Sequence, residues 1–63
     1  MNELQINGET YKIVESDIIN PFERMASVKP GEAVRYYDKY MYRTTCGEAR
    51  VCYADDPSNN WGV

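Results

Sequence analysis

The stretch EAVRYYDKYMYRTTCGEARVCY, Glu32 to Tyr53, decides how this chain folds, because it admits two periodicities. It holds five of the six tyrosines, both cysteines and four of the seven basic residues. Ala33, Val34, Tyr37, Tyr40 and Met41 fall at the spacing of one helix face. Against that, four tyrosines and a valine between residues 33 and 43 favour strands, and the segment follows a Pro-Gly turn at 30–31. The residues beyond decide for strands. Gly47-Glu48 suits a two-residue type II′ turn, which wants glycine first. Such a turn sets Thr45 opposite Arg50, Thr44 opposite Val51, Arg43 opposite Cys52 and Tyr42 opposite Tyr53. Tyr42, Thr44, Val51 and Tyr53 then share an inner face, and Arg43, Thr45, Arg50 and Cys52 a basic outer one. The expectation is strand throughout, with Asp38-Lys39 the place for any break.

Working outward, LQINGETYKIV at 4–14 reads as a hairpin. Asn-Gly favours a type I′ turn, whose two central positions both need φ > 0. With Asn7-Gly8 as the turn, Ile6 faces Glu9 and Leu4 faces Tyr11, which puts Leu4, Ile6, Tyr11 and Ile13 on one face. Between the hairpins, Pro21 fits the first position of a helix and pushes Asn20 out of the α region. Asn20 is then the N-cap, and Glu23 completes a capping-box pattern. Phe22, Met25 and Ala26 make the apolar stripe, and Lys29-Pro30-Gly31 ends the helix. DDPSNNWGV at 55–63 reads as turn and tail, with Trp61 its one anchor. These elements predict an α+β fold in the order ββαββ: a hairpin over 3–14, a short helix over 21–28 and a hairpin or meander over 33–54. The sheet is expected to be antiparallel, built of two hairpins with the helix on one face. The predicted core is Leu4, Ile6, Tyr11, Ile13, Ile18, Phe22, Met25, Val34, Tyr42 and Val51.

With 63 residues the chain is one small domain, 1–63, with 57–63 as its tail. A chain this short buries only about 60% of the surface its unfolded form exposes, so it folds with little margin. Disulfides, metals or oligomerisation commonly supplement stability at this size. A hydrophobic share of 43% with a net charge of −3 argues against disorder. No apolar run is long enough for a membrane span or a signal-peptide core, and a cytoplasmic location is expected. The charge is unevenly spread. Residues 1–32 carry six acids against three bases, and residues 33–50 carry Arg35, Lys39, Arg43 and Arg50 against Asp38 and Glu48. The tyrosine-rich stretch is therefore the one basic region of an acidic chain.

Little here points to catalysis. There is no histidine, so a cysteine or serine nucleophile lacks its usual base, and no glycine-rich loop precedes the helix. Asp55 and Asp56 read as solvated turn residues. No metal and no cofactor is expected, because structural zinc wants four N/S ligands and the chain offers two thiols. In the expected register Cys46 and Cys52 stand about 10 Å apart, beyond the roughly 7 Å between Cα atoms that a disulfide tolerates. Two free thiols are expected, with Cys52 a packing residue.

What remains is binding. Tyr, Trp, Met and Arg are enriched at interface cores. The leading expectation is a non-enzymatic protein-binding module, of the kind phages and mobile elements use to inhibit or modulate a larger host enzyme. That source is an expectation from size and class alone. An acidic partner surface is favoured, and a homodimer stays open. The alternative is a small RNA- or single-stranded-DNA-binding protein, because sheets that bind single strands interleave stacking aromatics with basic residues. The net acidity of the chain counts against it. The expected binding residues are Arg35, Tyr36, Tyr37, Lys39, Tyr40, Arg43, Arg50 and Trp61. Alternation along a continuous strand would place Arg35, Tyr37, Lys39, Met41 and Arg43 on one side.

Overall fold

In the computed structural model, which describes residues 2–63, the chain forms strands β1 (Glu3–Ile6) and β2 (Glu9–Val14), helix α1 (Pro21–Ser27), then strands β3 (Glu32–Tyr36), β4 (Lys39–Arg43), β5 (Ala49–Tyr53) and β6 (Asp56–Gly62). All six strands join one sheet in sequential order. Every neighbouring pair is antiparallel except β2 and β3, which run parallel. Strand makes up 52% and helix 11%, so the expected ββαββ sheet of two antiparallel hairpins gives way to a curled half-barrel of mixed strands. A connection that carries a helix across one face returns the chain to the end it left, and the two strands it joins are therefore parallel.

The first hairpin has the expected register, with Ile6 opposite Glu9 and Leu4 opposite Tyr11. Asn7 and Gly8 take φ of 52° and 82°, the left-handed values the turn requires. The helix also begins as expected. Asn20 has extended backbone angles, and its Oδ1 accepts from the amides of Phe22 at 2.9 Å and Glu23 at 3.2 Å.

The second half departs from expectation in three ways. First, residues 35–43 are not one continuous strand, because Tyr37 and Asp38 form a turn that pairs Tyr36 with Lys39. Second, β4 and β5 are joined through Thr44–Glu48 rather than by a two-residue turn, so Arg43 faces Ala49, Tyr42 faces Arg50 and Tyr40 faces Cys52. Thr44 closes this loop: its amide bonds the Glu48 carbonyl at 2.9 Å, and its hydroxyl accepts from the Glu48 amide at 3.0 Å. The slip from the expected register is three residues, and an odd slip turns a strand over. Cys52 therefore points inward and Val51 outward. Third, the expected tail is β6, in which Trp61 pairs with Val51 and Asn60 with Cys52. Pro57 sits in an irregular, bulged part of this edge strand, where its missing N–H is tolerated.

Two apolar clusters lie on opposite faces of the sheet. Leu4, Ile6, Tyr11, Ala33, Tyr42 and Cys52 fill the inside of the curl, with Ile13 and Tyr40 against them. Met25 and Val28, from the helix and its C-cap, pack on Val34 and Met41 outside it, flanked by Val14, Tyr36, Ala49 and Val51. Of the predicted core, Ile13, Ile18 and Val51 are only half-buried and Phe22 is 81% exposed. The two-turn helix docks through Met25 and Val28, which leaves Phe22 and Ala26 on its outer flank. Among the described residues no helix is long and apolar enough to cross a membrane.

Candidate functional site

The helix covers only part of the outer face. It sits over β3 and β4 and reaches Ala49 and Val51 of β5 at its edge, while Trp61 and Val63 beyond them stay exposed. Arg43, Ala49 and Val63 form one row across these strands, the Val63 amide bonding the Ala49 carbonyl at 3.2 Å. Met41, Val51 and Trp61 form the next row, and Lys39 and Tyr53 the third. A groove of about 300 Å³ opens between this surface and the helix. Pro21, Phe22, Met25 and Ala26 make its helical wall; Met41, Val51, Val63 and Arg43 make its floor and far side.

The groove is bordered by apolar side chains that the fold does not bury. Phe22 is 81% exposed, Val63 72% and Trp61 38%. Trp61 is held edge-on against Tyr53, with ring centroids 5.2 Å apart, and Lys39 Nζ lies 5.2 Å from the centre of the Tyr53 ring. An aromatic locked by such stacking presents contact area without losing further rotamer freedom on binding.

Among the described residues Arg43 has the one charged side chain that lines the groove, and it is built into the fold. Its Nε donates to the Val28 carbonyl at 2.8 Å, one terminal nitrogen to Met25 at 3.0 Å and the other to Gly47 at 2.9 Å. It thus caps the last carbonyls of α1 from a neighbouring strand, where a cation is also favoured by the helix dipole.

The eight expected binding residues do not form one surface. Tyr36, Lys39, Arg43 and Trp61 lie on the outer face with the groove. Arg35, Tyr40 and Arg50 point to the inner face, where the Arg35 guanidinium stands 5.3 Å from the centre of the Tyr40 ring. Arg50 is held there: its Nε and one terminal nitrogen donate to Asn60 Oδ1 and the other to Glu48 at 3.0 Å. The Tyr42 phenol beside it, and then Glu48, hold its charge more firmly than usual. Burial pushes the Tyr11 phenol up, helped by Tyr42 and Glu9 nearby.

Tyr37 stands at the β3–β4 turn, 77% exposed, with φ of 56°. A bulky residue in that region is strained, and strain of this kind gathers at functional positions. Tyr37 leans edge-on against Tyr36, centroids 4.6 Å apart, and Arg24 lies 5.2 Å from the Tyr36 ring centre. The basic residues around this turn are not free of acid. Lys39 pairs with Asp38 at 2.9 Å, which lowers the Asp38 carboxyl and raises the lysine. The Ala54 amide bonds the Asp38 carbonyl at 2.9 Å and so brings the turn bearing Asp55 alongside.

Sequence reasoning missed Phe22 and Val63 as surface residues. Phe22 looked like core because it shares a helical stripe with Met25. Nothing in the local pattern shows that two turns of helix cannot cover a six-stranded sheet. Both cysteines are free, Cys46 exposed and Cys52 buried. Comparison with known protein families, curated proteins and solved structures finds no match.

Proposed function

We propose that this chain is a non-enzymatic protein-binding module that docks on a larger protein, and inhibits or modulates it, through the groove between α1 and β4–β6. The observation that carries this reading is the apolar groove itself, which the fold leaves open, lined by Phe22 and Val63 and flanked by Trp61, the cross-strand partner of Val51. Exposed apolar surface is costly for a small soluble domain and marks interaction sites when it is contiguous. Aromatic anchors around a concave apolar centre are also the composition of binding hot spots. Tyr36, Tyr37 and Lys39 extend the same surface towards the β3–β4 turn.

Capture of a partner from the cell of origin, repeated with Trp61→Ala and Phe22→Asp, tests the proposal. Wild type should retain a partner that both variants lose. Equal capture by all three would overturn it.

The alternative, a single-stranded nucleic-acid binder, draws on the exposed Tyr37 ring with Arg24, Arg35 and Lys39 nearby. Asp38 and Asp55 oppose it, because they hold negative charge where phosphates would run. Tight oligonucleotide gel shifts that weaken steeply with added salt would favour this alternative over the groove.

A further inference from the structure

The groove has a complement on the same molecule. Its occupant must present a bulky apolar group, because the lining is almost entirely carbon, with a carboxylate beside it. Arg43 calls for that carboxylate. An arginine has five N–H donors, and three of Arg43's are spent on the carbonyls of Val28, Met25 and Gly47. Among the described residues the ion pairs are Lys39 with Asp38 and Arg50 with Glu48, so Arg43 forms no ion pair within the chain. At the groove's rim the sequence supplies Phe22 and Glu23, adjacent on the first turn of α1, both exposed, with Glu23 in neither ion pair.

From this we infer that, without a larger partner, the groove is filled by a second copy of the chain. In a two-fold dimer Phe22 of each protomer enters the groove of the other, and Glu23 approaches the spare donors of the other's Arg43. A surface that carries both the knob and the hole is self-complementary, which is what a two-fold interface requires. The inference rests on the proposed reading of the groove as a docking surface and adds its resting occupant. A larger partner would then have to displace the second copy, so the free concentration of the chain sets how much groove is available.

Sedimentation equilibrium of the purified chain across roughly micromolar to millimolar concentration, the range of weak reversible interfaces, tests this. Wild type should rise from 7.3 kDa towards twice that mass. Phe22→Asp should weaken association at least about tenfold, as loss of a buried aromatic anchor does. Glu23→Gln should weaken it about threefold, the scale of an exposed ion pair. Phe22→Asp should not lower the thermal midpoint of the monomer, since Phe22 is mostly exposed and an added acid in the first helical turn is favourable; Glu23→Gln removes such an acid and should lower the midpoint only slightly. A wild type that stays monomeric throughout, or a dimer that survives Phe22→Asp, overturns the inference. If wild type is monomeric yet still captures a partner that Trp61→Ala loses, the second copy is excluded and the docking surface stands.

Discussion

Arg43 on β4 donates from Nε to the carbonyl of Val28, the C-cap of α1, at 2.8 Å, and so ties the helix to the sheet beneath it. Before the tertiary contacts are known, this arginine reads as an exposed binding residue whose reversal should leave the fold intact. Its bonds assign it the opposite role. Arg43→Ala strips three carbonyls of a charged donor and should destabilise the domain by about 2–3 kcal/mol. Arg43→Lys should recover little, because one ammonium cannot reproduce the planar fork. Urea denaturation followed by circular dichroism measures both, and a wild-type midpoint for Arg43→Ala would remove its structural role.

Tyr42 is 1% exposed, and its ring centre lies 4.9 Å from that of Tyr11 inside the curl. Tyr42→Ala should cost about 3–5 kcal/mol, the range for deleting a buried aromatic, and leave little folded protein. Tyr42→Phe keeps the ring and removes only the hydroxyl that faces Arg50. It should lose no more than about 1 kcal/mol, the scale of a single polar contact. Similar losses for the two variants would mean that the ring is not what the core depends on.

Tyr37 adopts φ of 56° without glycine's freedom. A left-handed conformation costs an ordinary residue about 1–2 kcal/mol, and glycine or asparagine relieves much of it. Tyr37→Gly should therefore raise the thermal midpoint, while partner capture weakens if the ring is part of the docking surface. A lower midpoint would show that the edge contact with Tyr36 outweighs the strain.

Burial holds the Cys52 thiol above its ordinary 9.0 and, more than any other influence, the Tyr11 phenol above its ordinary 10.0. Both groups keep their protons longer folded than unfolded, so protonation favours the fold. Their contribution is complete below pH 9 and is lost as pH rises through the two raised values. Stability should be flat near neutrality and fall in the alkaline range, and Cys52→Ala should move the start of that fall upward towards the tyrosine. Native alkylation at pH 8 should label Cys46 alone, because Cys52 is 0% exposed. Two labels on the folded chain would contradict the inward turn of β5.

The first hairpin and the helix start were legible because each depends on neighbours in sequence. Asn7-Gly8 dictates a turn whose register follows from its length, and Asn20-Pro21 dictates where a helix can begin. The same local rules failed at Gly47-Glu48. A two-residue turn was available there, but Arg43 reaches across to α1 and to the Gly47 carbonyl, and Thr44 closes a longer loop that suits it. That one choice turned β5 over, and with it exchanged Val51 for Cys52 as the residue inside the curl.

By itself the sequence determined the Asn-Gly hairpin, the capped start of the helix and strands rather than helix across residues 32–43. These follow from backbone preference and short-range hydrogen bonding. The parallel pairing of β2 with β3, the strand formed by Asp56–Gly62 and the division of the basic and aromatic residues between two faces were decided only by the tertiary structure. Each depends on contacts between residues far apart in sequence. A helix crossing one face makes its flanking strands parallel, and β6 is held by pairing with β5 rather than by its own turn-rich composition. The open groove has the same origin. Phe22 lies on a predicted apolar stripe, yet α1 is only seven residues long and docks through Met25 and Val28, which leaves Phe22 facing outward over an uncovered sheet.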